Sequence, residues 1–303
     1  MTTEVSVNMS RDIPATGTPL IGEKPGPVEP WEPGPSRKGL LLKRVALFLV
    51  VPVAGMAIWQ YVGDRGLLAD GLFPSASKTA LAIWDFVVGS ADSNSPYSGQ
   101  WLESVRASSI RILAGFVIGS LLGVFLGLMS GYYRSARDAI NPTVNALRPI
   151  SITAWIPLAL IVLGIGDQPA IFLTALASFF PVYINTFLGA AYTDGGLVRA
   201  ARMLGATNRR ILFAVTLPAS LPSIATGLRV AVALAWTTVV VAEMLGSSSG
   251  IGYVLIDSYN QFRLDYVIAC MVSLGVLGTI SDKILALLFR PKLRWAEHGG
   301  VGS

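Results

Sequence analysis

The sequence predicts an all-α, polytopic membrane protein with six transmembrane helices and both termini in the cytoplasm. Three observations lead to this fold class. Only 14% of the 303 residues are charged and 52% are apolar, for a mean hydropathy of +0.59, whereas soluble domains carry about 25% charged residues. Six apolar runs are long enough to cross a bilayer, and the basic residues are concentrated in alternate connecting segments.

The first 36 residues contain seven prolines and four glycines and almost no large apolar side chain. Such a segment cannot bury enough surface to offset its ordering entropy. We therefore expect a disordered cytoplasmic tail over residues 1–36 and a membrane domain over 37–303, whose core covers about 105–289.

Crossing about 30 Å of hydrocarbon takes roughly 20 apolar residues. Between the first and second runs, Leu81, Trp84 and Val88 recur at helical spacing after Ser75, which predicts an amphipathic helix on the membrane surface. The third run is the shortest. The six predicted spans are residues 45–62, 109–131, 150–166, 169–190, 222–244 and 266–289.

The basic residues set the orientation. With the N-terminus inside, the cytoplasmic segments hold sixteen lysines and arginines and the outer loops hold four. The formal charge of +5 thus follows from membrane topology, and no nucleic-acid partner is expected. Membrane lipid is the expected surrounding, in the inner (cytoplasmic) membrane of the cell.

Catalysis is not expected of this chain. It has one cysteine, Cys270, and one histidine, His298, so a disulfide framework, a thiolate metal site and a His-based catalytic triad are excluded within one chain. A Gly-x-x-x-x-Gly-Lys-Ser/Thr loop for ATP is absent from the sequence. Glu243 and Asp282 alone make a poor proton relay, which argues against a proton-coupled carrier. We expect no cofactor and no metal bound by this chain.

Glycine recurs at every fourth position of the second span. One strip of this helix therefore lets a neighbouring backbone approach closely. We interpret the strip as a helix-packing surface; the alternative is a surface that slides during a conformational cycle. The five glycines are Gly115, Gly119, Gly123, Gly127 and Gly131.

Polar residues within the spans are the candidates for a translocation pathway. Three residues of the fifth span are seven apart and share one face. Charged groups at membrane depth normally face a bundle interior or a watery path, although Arg229 and Glu243 could instead extend to opposite interfaces. Spans three and four add residues for which helix packing is the competing interpretation. The pathway candidates are Arg229, Trp236, Glu243, Trp155, Ser178 and Asn185.

The loop over residues 191–221 carries four arginines between two spans. Leu197, Ala200, Ala201 and Leu204 stand at i, i+3, i+4 and i+7 of a short helix. Gly205 is expected to end that helix, Thr207 to cap a second one beginning near Asn208, and Leu217-Pro218 to end the unit. Such a unit suits docking into a groove of a cytoplasmic partner. A DNA-binding helix–turn–helix is disfavoured because the bilayer tethers both ends.

This loop resembles the "EAA…G…I-x-LP" loop of binding-protein-dependent ABC importer permeases. Ala200-Ala201-x-x-x-Gly205 is followed by nine residues, Val215 and then Leu217-Pro218. The segments "LRPISITAWIPLALIVLGIGD" and "AEMLGSSSGIGYVL" extend the resemblance over about residues 70–290, to the branch serving nitrate, taurine, alkanesulfonates and bicarbonate.

The resemblance implies a type I importer. Two permease subunits, a homodimer or a pair with a related second subunit, would form the pathway along their interface. An extracytoplasmic binding protein would deliver a small anionic solute, which could be a sulfonate such as taurine, nitrate or an organic acid. Two cytoplasmic ATPase subunits, which bind ATP and Mg, would receive the coupling helices between spans four and five. A stand-alone secondary carrier and a membrane-embedded enzyme are the competing classes. The implied coupling residues are Arg199, Ala200, Ala201, Arg202, Gly205, Arg209, Leu217 and Pro218.

One position departs from the family pattern. Arg199 stands where the family usually has a glutamate that pairs with a basic residue of the ATPase. The expected ion pair is therefore in question here, and Arg199 is expected to meet an acidic group on its own ATPase. Arg229 and Arg111 would suit a small anion, but a structural role explains each of them as well.

Overall fold

The computed structural model describes residues 37–68, 72–89 and 95–298, and this part of the chain is helical without a β-strand. Contacts divide the chain into units 1–54 and 55–303. Of the first unit only the start of α1 is described, and the predicted tail 1–36 lies outside the described residues. The helices are α1 (Arg37–Asp64), α2 (Ala76–Val88), α3 (Trp101–Tyr132), α4 (Arg134–Leu147), α5 (Ile156–Leu163), α6 (Asp167–Ala191), α7 (Gly195–Met203), α8 (Asn208–Ile211), α9 (Leu217–Gly246), α10 (Ile251–Asn260) and α11 (Leu264–His298).

Four stretches of the described residues are long and apolar enough to cross a membrane. They are α3, α6, the continuous helix Asn208–Gly246 that includes α9, and residues Leu264–Pro291 of α11. These four contain the predicted second, fourth, fifth and sixth spans. The predicted first span falls in α1, which is not one of the four.

The predicted third span, residues 150–166, is not one continuous helix. Residues 150–166 contain a 3-10 turn, Ile152–Trp155, and then α5 with eight residues. At 1.5 Å per residue α5 rises about 12 Å, less than half of a bilayer core. Pro149 precedes the turn and Gly164, at φ +80°, follows α5. Helix α4 and residues 152–163 form a pair bent by 89°, which supplies at most one further crossing.

The most extensive helix–helix contact joins α3 and α6. The five glycines of α3 form the strip that contacts α6, because a Cβ atom at any of them would lie within 3.0 Å of α6 atoms. At Gly115 the obstacle is the carbonyl oxygen of Ile171 at 2.6 Å, and at Gly127 it is that of Tyr183 at 2.8 Å. Backbone obstacles cannot move aside, so a side chain here would force the two helices apart. The other three positions are Gly119, Gly123 and Gly131.

Helix α2 is the predicted amphipathic helix, and it uses both of its faces. Leu81, Trp84 and Val88 are exposed, as the spacing indicated. The opposite face buries Phe86, whose ring meets the edge of Tyr266 at the start of α11. Helix α2 is therefore packed on the bundle by one side and leaves an apolar stripe outward.

Candidate functional site

Local sequence rules govern the start of the 191–221 loop. Helix α7 begins after Asp194, whose carboxylate accepts a hydrogen bond from the Gly196 amide at 2.8 Å. It ends before Gly205, which has φ +76°, a conformation that glycine adopts without strain. The Thr207 hydroxyl then accepts a bond from the Arg210 amide and caps α8. The predicted turn at Gly205 and cap at Thr207 are both confirmed.

Leu217-Pro218 does not end the unit, contrary to the prediction. The helix runs without interruption from Asn208 to Gly246. Residues Leu212–Thr216 form a π-turn, and Pro218 lies in the first turn of α9. A π-turn changes the hydrogen-bonding partners of the backbone, and it precedes the proline that would disrupt a regular i to i−4 ladder. The second half of the loop is therefore one piece with the fifth predicted span.

The surface of the loop is exposed and partly apolar. None of the residues of α7 is buried, and Met203 and Leu204 at its end are each 88% exposed. Arg199, Arg202 and Arg209 are exposed and form no ion pair with any residue of the described part. Exposed apolar side chains rimmed by unpaired charges are typical of a surface that binds another protein. Ala200 is exposed and Ala201, Leu217 and Pro218 are half-buried.

Two of the pathway candidates on α9 contact α11. The Arg229 guanidinium donates from Nε and Nη2 to the two carboxylate oxygens of Asp282, both at 2.8 Å. This pair is open, since the side chains are 52% and 37% exposed. Seven residues further along α9, Trp236 is buried and its Nε1 donates a hydrogen bond to the Ser281 hydroxyl at 3.0 Å. The sequence analysis did not identify Ser281 or Asp282 as partners of α9.

Glu243, the third candidate on that face, is completely buried. Its Oε1 accepts a bond from Arg111 Nη1 at 2.7 Å, and its Oε2 accepts from the Ser108 hydroxyl and the Gly252 amide, each at 2.9 Å. All three donors satisfy a carboxylate that would be costly to bury alone. Glu243 therefore joins α9 to α3 and to the start of α10.

Arg111 extends this cluster to α6. Its Nε donates to Asp167 Oδ1 at 2.7 Å, while Nη1 and Nη2 donate to the carbonyl and hydroxyl of Ser249 at 2.7 and 2.8 Å. Arg111 is buried, whereas the Asp167 side chain is 64% exposed. We name the set Ser108, Arg111, Asp167, Glu243 and Ser249 the outer cluster. It lies where α3 and α6 begin and α9 ends.

The outer cluster explains the segment "AEMLGSSSGIG". Gly250, at φ +110°, precedes α10, whose first amides are bonded by the Ser108 hydroxyl at Ile251 and by Glu243 at Gly252. The carboxylate thus sits at a helix N-terminus, where the helix dipole stabilises negative charge. A Cβ atom at Gly252 would meet the Val240 carbonyl oxygen at 2.5 Å. The glycines in this segment therefore let the chain fold back onto Glu243.

The remaining candidates lie in helix contacts. Ser178 is fully buried. Asn185 donates to the Pro181 carbonyl at 2.8 Å, and its Cβ would lie 2.8 Å from a Cβ placed on Gly227 of α9. Trp155 is half-buried and packs against the main core. Ser178 and Asn185 thus lie on a helix that packs closely on α9, and their role in translocation stays a prediction.

The pairing of Arg111 with Asp167 and Glu243 was not predicted, although the sequence contains a signal for it. Under the predicted topology, Arg111, Asp167 and Glu243 all fall near the outer ends of their spans. Opposite charges at one membrane depth favour pairing, so the outer cluster could have been anticipated. Among the described residues there is no group of three or more metal-ligating side chains.

Comparison with known proteins gives consistent matches. Residues 109–295 match the family described as "binding-protein-dependent transport system inner membrane component". The chain is 32% identical over 284 residues to a putative aliphatic sulfonates transport permease, SsuC, of Bacillus subtilis, covering 93% of this chain and 95% of the relative. It is 30% identical over 235 residues to the nitrate import permease NrtB of Synechocystis, covering 70% and 86%.

The fold also has a solved counterpart. A chain of the inward-facing MetNI methionine ABC transporter superposes with a TM-score of 0.59 at 18% identity, covering 67% of this chain and 100% of that chain. At this identity the likeness concerns the fold. The family match, by contrast, covers more than half of the sequence. The chain therefore belongs to the inner-membrane components of binding-protein-dependent transport systems, the non-catalytic permeases of ABC transporters.

Proposed function

We propose that this chain is the permease subunit of an ATP-driven importer for a small anionic solute, coupled to its ATPase through the 191–221 loop. The observation that carries the proposal is the exposed surface of α7 and α8, of which α8 continues without a break into α9. A partner that binds this surface is linked directly to a membrane-spanning helix. A stand-alone carrier would have no use for such a surface.

The continuous helix Asn208–Gly246 has 39 residues and a length of about 58 Å at 1.5 Å per residue. A rigid-body displacement of the coupling surface, caused by ATP binding to the partner, therefore moves the inner half of α9 with it. Gly205 and the residues beside it form the break that separates α7 from this helix. Helix α7 can then adjust to the ATPase groove while α8 transmits the motion.

The outer cluster supplies the fixed end of this movement. Glu243 and Arg111 join the outer ends of α9, α3 and α10 by buried charged hydrogen bonds, and Asp167 adds α6. Charged hydrogen bonds in a dry environment are strong and geometrically restrictive. We expect α9 to pivot near Glu243, so the largest opening occurs at its inner half.

The assembly follows from family membership. We expect two ATPase subunits that carry ATP and Mg, an extracytoplasmic binding protein, and a second copy of this permease in a homodimer. The relatives named for aliphatic sulfonates and for nitrate support a small anion as the solute. Arg229, Trp236, Ser178, Asn185 and Trp155 remain candidates for the pathway. For Glu243, its complete burial instead supports a structural role.

Co-purification of the ATPase tests the proposal. Replacing Met203 and Leu204 together by aspartate places two charges on side chains that are 88% exposed, so folding should be unaffected. The ATPase is expected to be lost from the purified complex. Phe262→Asp is the matched control, because Phe262 is 70% exposed in the loop before α11 and has φ +58°, which aspartate tolerates. Retention of the ATPase by the double variant would contradict the proposal.

A further inference from the structure

A long open groove runs between α9 and α11. Its volume is about 480 Å³ and its lining is almost entirely apolar. The groove has this width because α11 contributes two glycines where larger side chains would fill it. No atom lies within 4 Å of a Cβ placed on Gly275. Its lining includes Ala233, Trp236 and Val240 from α9 and Gly275, Gly278 and Thr279 from α11.

The Arg229–Asp282 pair lies just beyond one end of this groove. Arg229 lies one helical turn before Ala233 on α9, and Asp282 one turn after Gly278 on α11, so each is on the groove face of its helix. Asp282 holds Nε and Nη2 of the guanidinium. The Nη1 group donates no hydrogen bond to any residue that the structure describes, and the arginine side chain is 52% exposed.

An exposed arginine at this depth requires a polar neighbour. Seven residues separate Arg229 from Pro222, where the predicted fifth span begins, which is about 10 Å along α9. A charge facing lipid so far into a span is costly, so such residues face water or a ligand. A free guanidinium N–H pair beside an apolar groove is complementary to a molecule with an anionic head and an apolar body.

The geometry points to this groove as a substrate subsite for a small organic anion with a short alkyl chain, a sulfonate or a carboxylate. Arg229 Nη1 binds the anionic head, Asp282 fixes the orientation of the guanidinium, and the chain lies against Trp236 and Gly278. This inference rests on the proposed importer function and names where its solute binds. Inorganic anions such as nitrate gain nothing from the apolar lining. Each methylene that enters such a lining strengthens binding by about fourfold.

Thiol labelling in lipid nanodiscs tests the site. Thr279→Cys is introduced into the permease–ATPase complex after the buried Cys270 has been replaced by serine. The negatively charged reagent MTSES is expected to label position 279 because it is exposed to the groove. Sodium 1-pentanesulfonate is expected to slow labelling, with a half-protecting concentration about fourfold lower per added methylene from methanesulfonate upward. Nitrate at equal ionic strength is expected to protect weakly. Ile280→Cys, on the neighbouring face of α11, is the control and should not be protected.

Two further variants separate the head from the chain. Arg229→Gln should raise the half-protecting concentration of pentanesulfonate about tenfold, as expected for the loss of one charge-assisted hydrogen bond. Gly275→Leu should abolish the chain-length dependence because leucine fills the groove, whereas Val276→Leu, outside the lining, should not.

Four results would overturn the subsite: equal protection by nitrate and pentanesulfonate, no protection by pentanesulfonate, absence of labelling because lipid covers the groove, or a disulfide between two permease copies at position 279. An intact permease–ATPase complex without protection overturns the subsite alone. A permease that binds no ATPase overturns the proposed function instead.

Discussion

Replacing Glu243 by alanine is expected to destabilise the protein more than any single change at the exposed Arg229–Asp282 pair. The variant removes the acceptor of three hydrogen bonds, from Arg111, Ser108 and the Gly252 amide. It leaves the Arg111 guanidinium buried beside apolar surface with only Asp167 and Ser249 as partners. Breaking a buried ion pair by removing one member costs about 3–5 kcal/mol.

The exposed Arg229–Asp282 ion pair provides the comparison for the buried Arg111–Glu243 pair. The Arg111 and Glu243 side chains are 5% and 0% exposed, against 52% and 37% for Arg229 and Asp282. Exposed ion pairs contribute about 0–1 kcal/mol. We therefore expect Glu243→Ala to lower the melting temperature by about 6–10 °C and Arg229→Gln by about 2 °C or less, taking about 2 °C per kcal/mol for a large chain.

The assay is thermal unfolding of the purified full-length protein in one detergent, followed by intrinsic fluorescence and, in parallel, by proteolysis of the segment before α10. The double variant Arg111→Met with Glu243→Leu is the informative companion, since apolar replacement of both members of a buried pair is close to neutral. It should recover most of the loss. Two results would refute this expectation. One is that Glu243→Ala lowers the midpoint of thermal unfolding no more than Arg229→Gln does. The other is that the double variant is less stable than Arg111→Met or Glu243→Leu alone.

Three further predictions concern other parts of the chain. Arg199→Glu, which restores the charge usual in the family, should lower coupled ATPase activity with the native ATPase because we expect the exposed arginine to meet an acidic group there; unchanged activity would count against this. Gly119→Val should weaken α3–α6 packing by about 3 kcal/mol or more, since its Cβ would meet Ala175 backbone atoms, and a small change in melting temperature would contradict that. Burial and the bond to Asp257 raise the pKa of Tyr97 to about 12, so its contribution to stability is full below pH 10 and is lost as pH rises towards 12. Tyr97→Phe should flatten the stability–pH curve in that window.

Features that depend on residues close together in the sequence were predicted correctly, whereas features that depend on the course of a longer helix were not. Gly205 and Thr207 were predicted correctly because a left-handed turn and an N-cap involve residues two to three positions apart. Leu217-Pro218 was predicted as a stop because proline rules assume i to i−4 bonding, and the π-turn over Leu212–Thr216 alters that bonding. The helix of the predicted third span is interrupted for a related reason. Its apolar residues satisfied the length criterion while Pro149 and Gly164 broke the helix.

Partners across the bundle were not predictable in the same way. Arg229, Trp236 and Glu243 do occupy related positions on α9 by periodicity, yet they contact different surroundings. Arg229 and Trp236 bond to α11, and Glu243 bonds to α3 and α10. Seven-residue spacing drifts by about 20° per repeat on a straight helix, so residues fourteen apart are displaced by about 40°. Because of this displacement, Arg229 contacts α11 while Glu243 contacts α3 and α10.

This drift has a functional consequence for α9. One end of α9 is held by buried charges and its middle lines an apolar groove. Its other end continues into α8, which is part of the proposed coupling surface. Motion applied at the coupling surface meets least resistance where the bonds of α9 are exposed, and Arg229–Asp282 is the exposed ion pair on this helix. A displacement of the inner half of α9 relative to α11 would separate Arg229 from Asp282 before it disturbed the outer cluster. Under the two proposals above, the groove would then release an anion toward the cytoplasm, because the arginine proposed to bind it moves with α8.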